Sequence, residues 1–298
     1  MLLLRVWLFG AAVPAIGMGI WLLRIADAPR SAQALQVVTV AVAMAAHAAM
    51  VWWRVPRSVN TNRWLSMLLI GGLFLPLSVG SHNGPARWLP IGNFRLYLAP
   101  LLLPLTLFQL GAPRQGLSAY TVPVIAVVFA LSLQPDASQL TAFAVAMTAL
   151  LASRDRPRLV RVSLLSLVLG AAGVAWRTPE TLAPVRYVEG AFALAAAVSP
   201  WGLGLALVAA LLPVATFAWA ARILRSPGAF AVALYWATVF ALAPRQVTPV
   251  PWLGFGAGPI LGYFLVAGAV SRTVAETHGR PNHRLQPTAA EAMMSRRG

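Results

Sequence analysis

Between positions 200 and 221 the chain reads PWGLGLALVAALLPVATFAWAA, without one charged side chain. Such a stretch cannot lie on the surface of a water-soluble domain, and it has the roughly 20 residues that an α-helix needs to cross a bilayer core. About ten runs of this kind follow one another, near 5–23, 36–53, 64–80, 97–112, 118–133, 138–152, 159–176, 200–221, 228–244 and 254–272. Hydrophobic residues make up 59% of the chain and charged ones 10%, with a mean hydropathy of +0.74, so polar surface is too scarce to coat a soluble fold. In lipid every backbone amide needs an internal partner, which only helices and closed barrels supply. The runs are continuous in Leu, Ala and Val and lack the alternation of barrel strands. The expected fold is an all-α polytopic membrane protein with about ten transmembrane helices. The first run has almost no basic leader and no convincing cleavage site, and is expected to be a retained span.

Orientation follows from the arginines, because cytoplasmic connections keep positive charge. Arg54, Arg57 and Arg63, then Arg114, then Arg154, Arg156, Arg158 and Arg161, then Arg222 and Arg225 fall in alternate connections. The C-terminal segment adds Arg272, Arg280, Arg284, Arg296 and Arg297. Both termini are therefore expected in the cytoplasm. Residues 1–276 form the membrane domain in this reading, and 277–298 a disordered basic cytoplasmic tail without apolar periodicity. The net charge of +16 is explained by this loop asymmetry, and nucleic acid is not an expected partner. All 23 basic residues are arginine. Cysteine is absent, which excludes disulfides, thiol catalysis and Cys-ligated metals.

Polar residues that interrupt this pattern are the candidates for chemistry. His47 lies near the middle of the second run, where an ionisable group is either functional or hydrogen-bonded to a neighbouring helix. Trp52 and Trp53 before Arg54 read as an interfacial anchor. The outward segment 81–96, SHNGPARWLPIGNFRL, carries Arg87, Trp88 and Arg95 between turn formers. Guanidinium groups bind phosphate bidentately and an indole sits at headgroup level, so these residues suit a phosphate-bearing lipid-linked ligand or seat a re-entrant loop. Asp136, after Gln134 and Pro135, either caps the next helix with Ser138 or lines an outward cavity. The longest interruption, 177–199, holds Glu180 and Glu189 beside Arg177, Arg186 and Tyr187. Pro244, Pro249 and Pro251 in the last outward connection preclude a helix there, and Gly254, Gly256, Gly258 and Gly262 allow close backbone approach.

The order of these features resembles the SEDS family of RodA-, FtsW- and SpoVE-like proteins. The matching residues are Asn83, Gly84, Arg87, Trp88 and Gly92, then Gln134, Pro135 and Asp136, then Pro251 and Gly254 to Gly258, within a likeness that runs to about residue 273. The resemblance implies a ten-span glycosyltransferase of the bacterial cytoplasmic membrane that polymerises lipid II into peptidoglycan strands, beside a class B penicillin-binding transpeptidase. The family's catalytic aspartate, in Asp-Phe-Ile-Phe-Ala, falls on Glu189 of Glu189-Gly190-Ala191-Phe192-Ala193. Further departures are Tyr97-Leu98-Ala99-Pro100 for Gln-Pro-Ser-Glu and a glycine-rich segment for the terminal serines, which mark a divergent member.

Extending a glycan from a lipid pyrophosphate needs a base for the acceptor hydroxyl and cations for the departing pyrophosphate. The expected base is Glu189, with Asp136 as a second acid. Arg87, aided by Arg186 or Arg95, is the expected phosphate clamp, and Trp88 borders the ligand. A divalent cation such as magnesium between Asp136, Glu189 and the pyrophosphate is the one cofactor this chemistry suggests. Two rival readings are a catalytically degenerate scaffold for a cell-wall synthesis complex and a transporter or flippase for a lipid-linked precursor.

Overall fold

A computed structural model of the chain describes residues 1–52, 59–79, 86–92, 94–112, 116–152, 157–178 and 183–278. Among them the helices are α1 (Leu2–Gly10), α2 (Val13–Ile25), α3 (Arg30–Trp52), α4 (Val59–Val79), α5 (Leu98–Leu110), α6 (Leu117–Leu133), α7 (Ala137–Ala152), α8 (Arg158–Ala175), α9 (Ala191–Val198), α10 (Gly202–Leu224), α11 (Pro227–Leu242) and α12 (Ala257–His278). Strands β1 (Trp88–Ile91) and β2 (Phe94–Tyr97) form an antiparallel hairpin between α4 and α5.

The chain is a helical multi-pass membrane protein. Six stretches are long and apolar enough to cross a bilayer: Leu2–Ile25, Arg30–Trp52, Arg158–Ala175, Gly202–Leu224, Pro227–Arg245 and Ala257–Thr277. Trp64–Val79, Leu98–Leu110, Leu117–Leu133 and Ala137–Ala152 are apolar but shorter. Large apolar side chains point outward where lipid would cover them, as Val37, Val38 and Val42 do on α3 and Leu205, Val208 and Leu211 on α10. The first apolar run is not one straight helix. It breaks at Ala11 and Ala12 ahead of Pro14, whose ring excludes the amide that would continue the ladder. Inside the long interruption Ala191–Val198 also folds as a helix, its eight residues all apolar and mostly alanine, the best helix former.

α12 is the most enclosed of the six long stretches. It lies against α3 and α5, and glycine makes those approaches possible. A Cβ at Gly258 would collide with the Tyr97 carbonyl, and one at Gly262 with the Pro100 carbonyl. Gly254 similarly abuts the Val188 carbonyl, whereas Gly256 has only Pro259 nearby, at 3.9 Å. Close packing therefore accounts for three of the four glycines singled out in the sequence. His47 is a packing residue of α3: Nδ1 lies 3.2 Å from the Phe264 carbonyl, and Phe9 and Phe264 meet the imidazole edge to face. Trp252 sits at the centre of an aromatic cluster with Trp236, Phe240 and Tyr263, their ring centroids 5.0–5.3 Å from its own.

The connections after α4, α6, α8 and α11 meet at one end of the bundle. Arg87 reaches the α6–α7 turn. Trp176, after α8, donates from Nε1 to Thr141 on α7 and carries the Arg245 guanidinium 5.7 Å above its ring. Val250 N–H donates to the Val188 carbonyl at 3.2 Å and Phe255 N–H to the Tyr187 carbonyl at 2.9 Å, which fastens the Glu189 turn to the proline-rich connection.

Candidate functional site

The hairpin forms one wall of the site. Its register sets Trp88 opposite Tyr97, and the two rings stack with centroids 4.6 Å apart and 27° between their planes. Gly92, with φ of +59°, begins the reversal in the left-handed conformation that glycine adopts without strain. The turn expected around Pro90–Gly92 is thus the tip of a two-stranded ribbon. Arg87, one residue before β1, donates from Nε to the Gln134 carbonyl at 3.2 Å and from Nη2 to the Pro135 carbonyl at 2.6 Å.

Those carbonyls belong to the turn that presents Asp136, which is wholly buried. Its Oδ1 accepts the Gln139 amide at 3.2 Å, so Asp136 caps α7, and also the Ser138 hydroxyl at 3.0 Å. Oδ2 accepts the Tyr97 hydroxyl at 2.5 Å. Burial pushes the Asp136 carboxyl above the ordinary aspartate range, opposed by the Arg87 charge and by these donors. One turn along α7, Gln139 accepts from the Tyr235 hydroxyl of α11 and donates to Thr248 Oγ1 at a long 3.4 Å. Gln134 donates to the Leu73 carbonyl on α4.

Glu189 stands in the turn before α9, half-buried, and accepts the Val185 amide at 2.9 Å. Backbone bonds from Val188, Glu189 and Gly190 to the Val185 carbonyl close this turn, and Gly190 packs where a Cβ would meet the Arg186 carbonyl at 2.7 Å.

Arg87, Trp88 and Glu189 meet at one small open cleft of about 30 Å³, also lined by Tyr97, Pro184 and Gln246. A second, roomier cleft of about 210 Å³ adjoins it across Pro184 and Gln246, with Arg186 and the Ala193, Leu194 and Ala197 side of α9 in its wall. Of the expected site residues, Arg87, Trp88 and Glu189 share the first cleft and Arg186 borders the second. Arg95 is exposed on β2 opposite Pro90 and lines neither. Asp136 lies behind Tyr97 and lines neither cleft. Among the described residues no three His, Cys, Asp or Glu side chains come together. Asn83, Gly84, Glu180 and the tail from 279 lie outside the described residues.

Tyr97, Gln139, Tyr235, Thr248 and Gln246 join the site without having been singled out for it in the sequence. Gln246 and Trp252 have φ of 58° and 63°, left-handed values that are costly for a side chain as bulky as indole. Trp252 is held there by its burial and by the bond from Nε1 to the Pro259 carbonyl at 3.2 Å. No protein-family model matches the chain, and comparison with curated proteins finds no relative.

Proposed function

We propose that the chain is a divergent SEDS-like glycosyltransferase of the bacterial cytoplasmic membrane, with about ten spans, both termini cytoplasmic and the cleft outward. Its substrate in this reading is lipid II, which it polymerises into glycan strands beside a class B penicillin-binding transpeptidase. The observation that carries the reading is the meeting of Arg87, Trp88 and Glu189, from two distant connections, at one cleft. A carboxylate, a guanidinium and an indole are the groups needed to take a proton from a sugar hydroxyl, to stabilise a departing phosphate and to border an amphiphile.

Glu189 is the proton acceptor, and Arg87 supplies positive charge at the cleft wall. Asp136 acts behind the wall and not on the sugar. A lipid II analogue with a photoreactive group on its sugar is expected to label peptides containing residues 87–97 or 183–189. Labelling confined to lipid-facing helices such as α3 and α10 would contradict the reading.

The scaffold reading is favoured by one observation. Arg87 spends two donors on backbone carbonyls, as a structural clamp does. In that case the cleft binds the same amphiphile, or the partner's membrane segment, without turnover. A transporter reading rests on the intramembrane His47 and the outward arginines, and the His47 ring is engaged between Phe9, Phe264 and the Phe264 carbonyl.

A further inference from the structure

Two walls of the cleft are anchored on the first turn of α7. On one side Asp136 accepts the Tyr97 hydroxyl, and Tyr97 backs the Trp88 ring. On the other, Gln139 donates to Thr248 in the segment that contributes Gln246, Val247 and Pro249 to the lining. The third piece, the Glu189 turn, hangs from the same segment through the Val250 to Val188 backbone bond. Asp136, Gln139 and Thr248 are buried, so the anchors are shielded from solvent.

We propose that Asp136 is a positioning residue that sets the shape of the cleft through Tyr97, and that its protonation loosens the Trp88–Tyr97 wall. This deepens the reading of the cleft as a binding site and does not depend on the reaction assigned to it. Three donors converge on the Asp136 carboxylate: the Tyr97 and Ser138 hydroxyls and the Gln139 amide. An ionised carboxylate accepts all three, whereas a protonated one carries a donor of its own and competes with one of them. The charged and titratable groups that face it are Arg87 from the turn before β1, Tyr97 from β2 and Tyr235 from α11. Of these, Arg87 alone carries charge at neutral pH, and it favours the ionised form. Of the three donors only the Tyr97 hydroxyl comes from the hairpin, whereas Ser138 and Gln139 belong to α7 itself. Its loss is the one that frees the Trp88–Tyr97 wall, while Arg87 still holds the start of β1 to the α6–α7 turn. Burial moves the Asp136 transition upward from the ordinary aspartate value.

The chain has no cysteine, so a spin-label pair can be placed on Ile91→Cys in the hairpin and Ala183→Cys beside the Glu189 turn without other changes. Both positions are exposed and outside the polar network. The full chain in lipid nanodiscs is measured by electron–electron double resonance between pH 4 and 8. A narrow distance distribution at pH 8 is expected to broaden as pH falls, with a midpoint above the roughly 3.9 of free aspartate. In Tyr97→Phe the distribution is expected to be broad throughout and to lose its pH response, while Glu189→Gln keeps the wild-type response. Asp136→Asn is expected to match Tyr97→Phe, and if it does not insert, Tyr97→Phe alone decides. A wild-type distribution independent of pH, or a Tyr97→Phe response like wild type, would overturn the proposal. A protein with the pH response but no sugar labelling would retain it while the glycosyltransferase reading fell.

Discussion

Arg87 donates from Nη2 to the Pro135 carbonyl at 2.6 Å, across a separation of 48 positions in the chain. The contact joins the hairpin connection to the α6–α7 turn and brings a guanidinium to the edge of the cleft that Glu189 also lines. Arg87 thus has a structural duty whatever chemistry the cleft performs.

Replacing Arg87 by alanine removes at least its bonds to the Gln134 and Pro135 carbonyls. Hydrogen bonds to charged groups contribute about 1.5–3 kcal/mol each, so a loss of roughly 2–4 kcal/mol is expected, allowing for water replacing part of them. Thermal unfolding in detergent measures it. Arg87→Lys keeps the charge but not the two-pronged geometry and is expected to fall between wild type and alanine.

The glycines at and just before α12 separate packing from composition. Gly262→Leu drives a side chain into the Pro100 carbonyl and is expected to abolish folded yield, whereas Gly256→Ala meets nothing closer than Pro259 and is expected to be near neutral. Size-exclusion profiles of the two variants provide the comparison. Equal profiles would mean that α12 does not approach α5 as described.

Trp252→Ala is expected to cost about 3–5 kcal/mol, the range for removing a buried aromatic side chain. The indole is fully buried among Trp236, Phe240 and Tyr263. Releasing the segment that carries Gln246 should also alter ligand labelling at the cleft, which mass spectrometry of labelled peptides reads separately from stability.

Asp136 also contributes a pH dependence of stability, with a sign opposite to that of an exposed, salt-bridged carboxylate. Its folded pKa is raised by burial, so the folded protein binds more protons than the unfolded chain between the ordinary aspartate value and the raised one. Stability should therefore fall as pH rises through that window and level off above it. Asp136→Asn is expected to flatten this part of the profile in unfolding experiments run from pH 4 to 8. The same proton that favours the fold over the unfolded chain loosens one hydrogen bond within it, so local and global readouts move in opposite directions.

Much of this was legible in the sequence. Uncharged apolar runs locate the helices because lipid imposes the same demand on every span, and the alternation of arginines groups the connections that meet around the cleft. Arg87, Trp88 and Glu189 stood out as polar groups in otherwise apolar or turn-forming surroundings, and they share a cleft. Asp136 offered two readings, and the structure realises the cap, in a buried form joined to Tyr97. The polar network was not legible. Gln139 and Tyr235 are single polar residues at 96 positions' separation, and no local pattern pairs them. The helix of α9 was hidden because its eight residues are too few to read as a span. The hairpin was hidden because four-residue strands beside Pro90 carry little strand signal.

The most direct test of the central claim is polymerisation of fluorescent lipid II by the purified protein, alone and with a class B transpeptidase, comparing wild type with Glu189→Gln. Folding of both is checked first by size exclusion. Glycan strands from wild type that vanish in Glu189→Gln are the expected result. Folded wild-type protein that yields no strands under either condition, or a Glu189→Gln variant as active as wild type, would contradict the account.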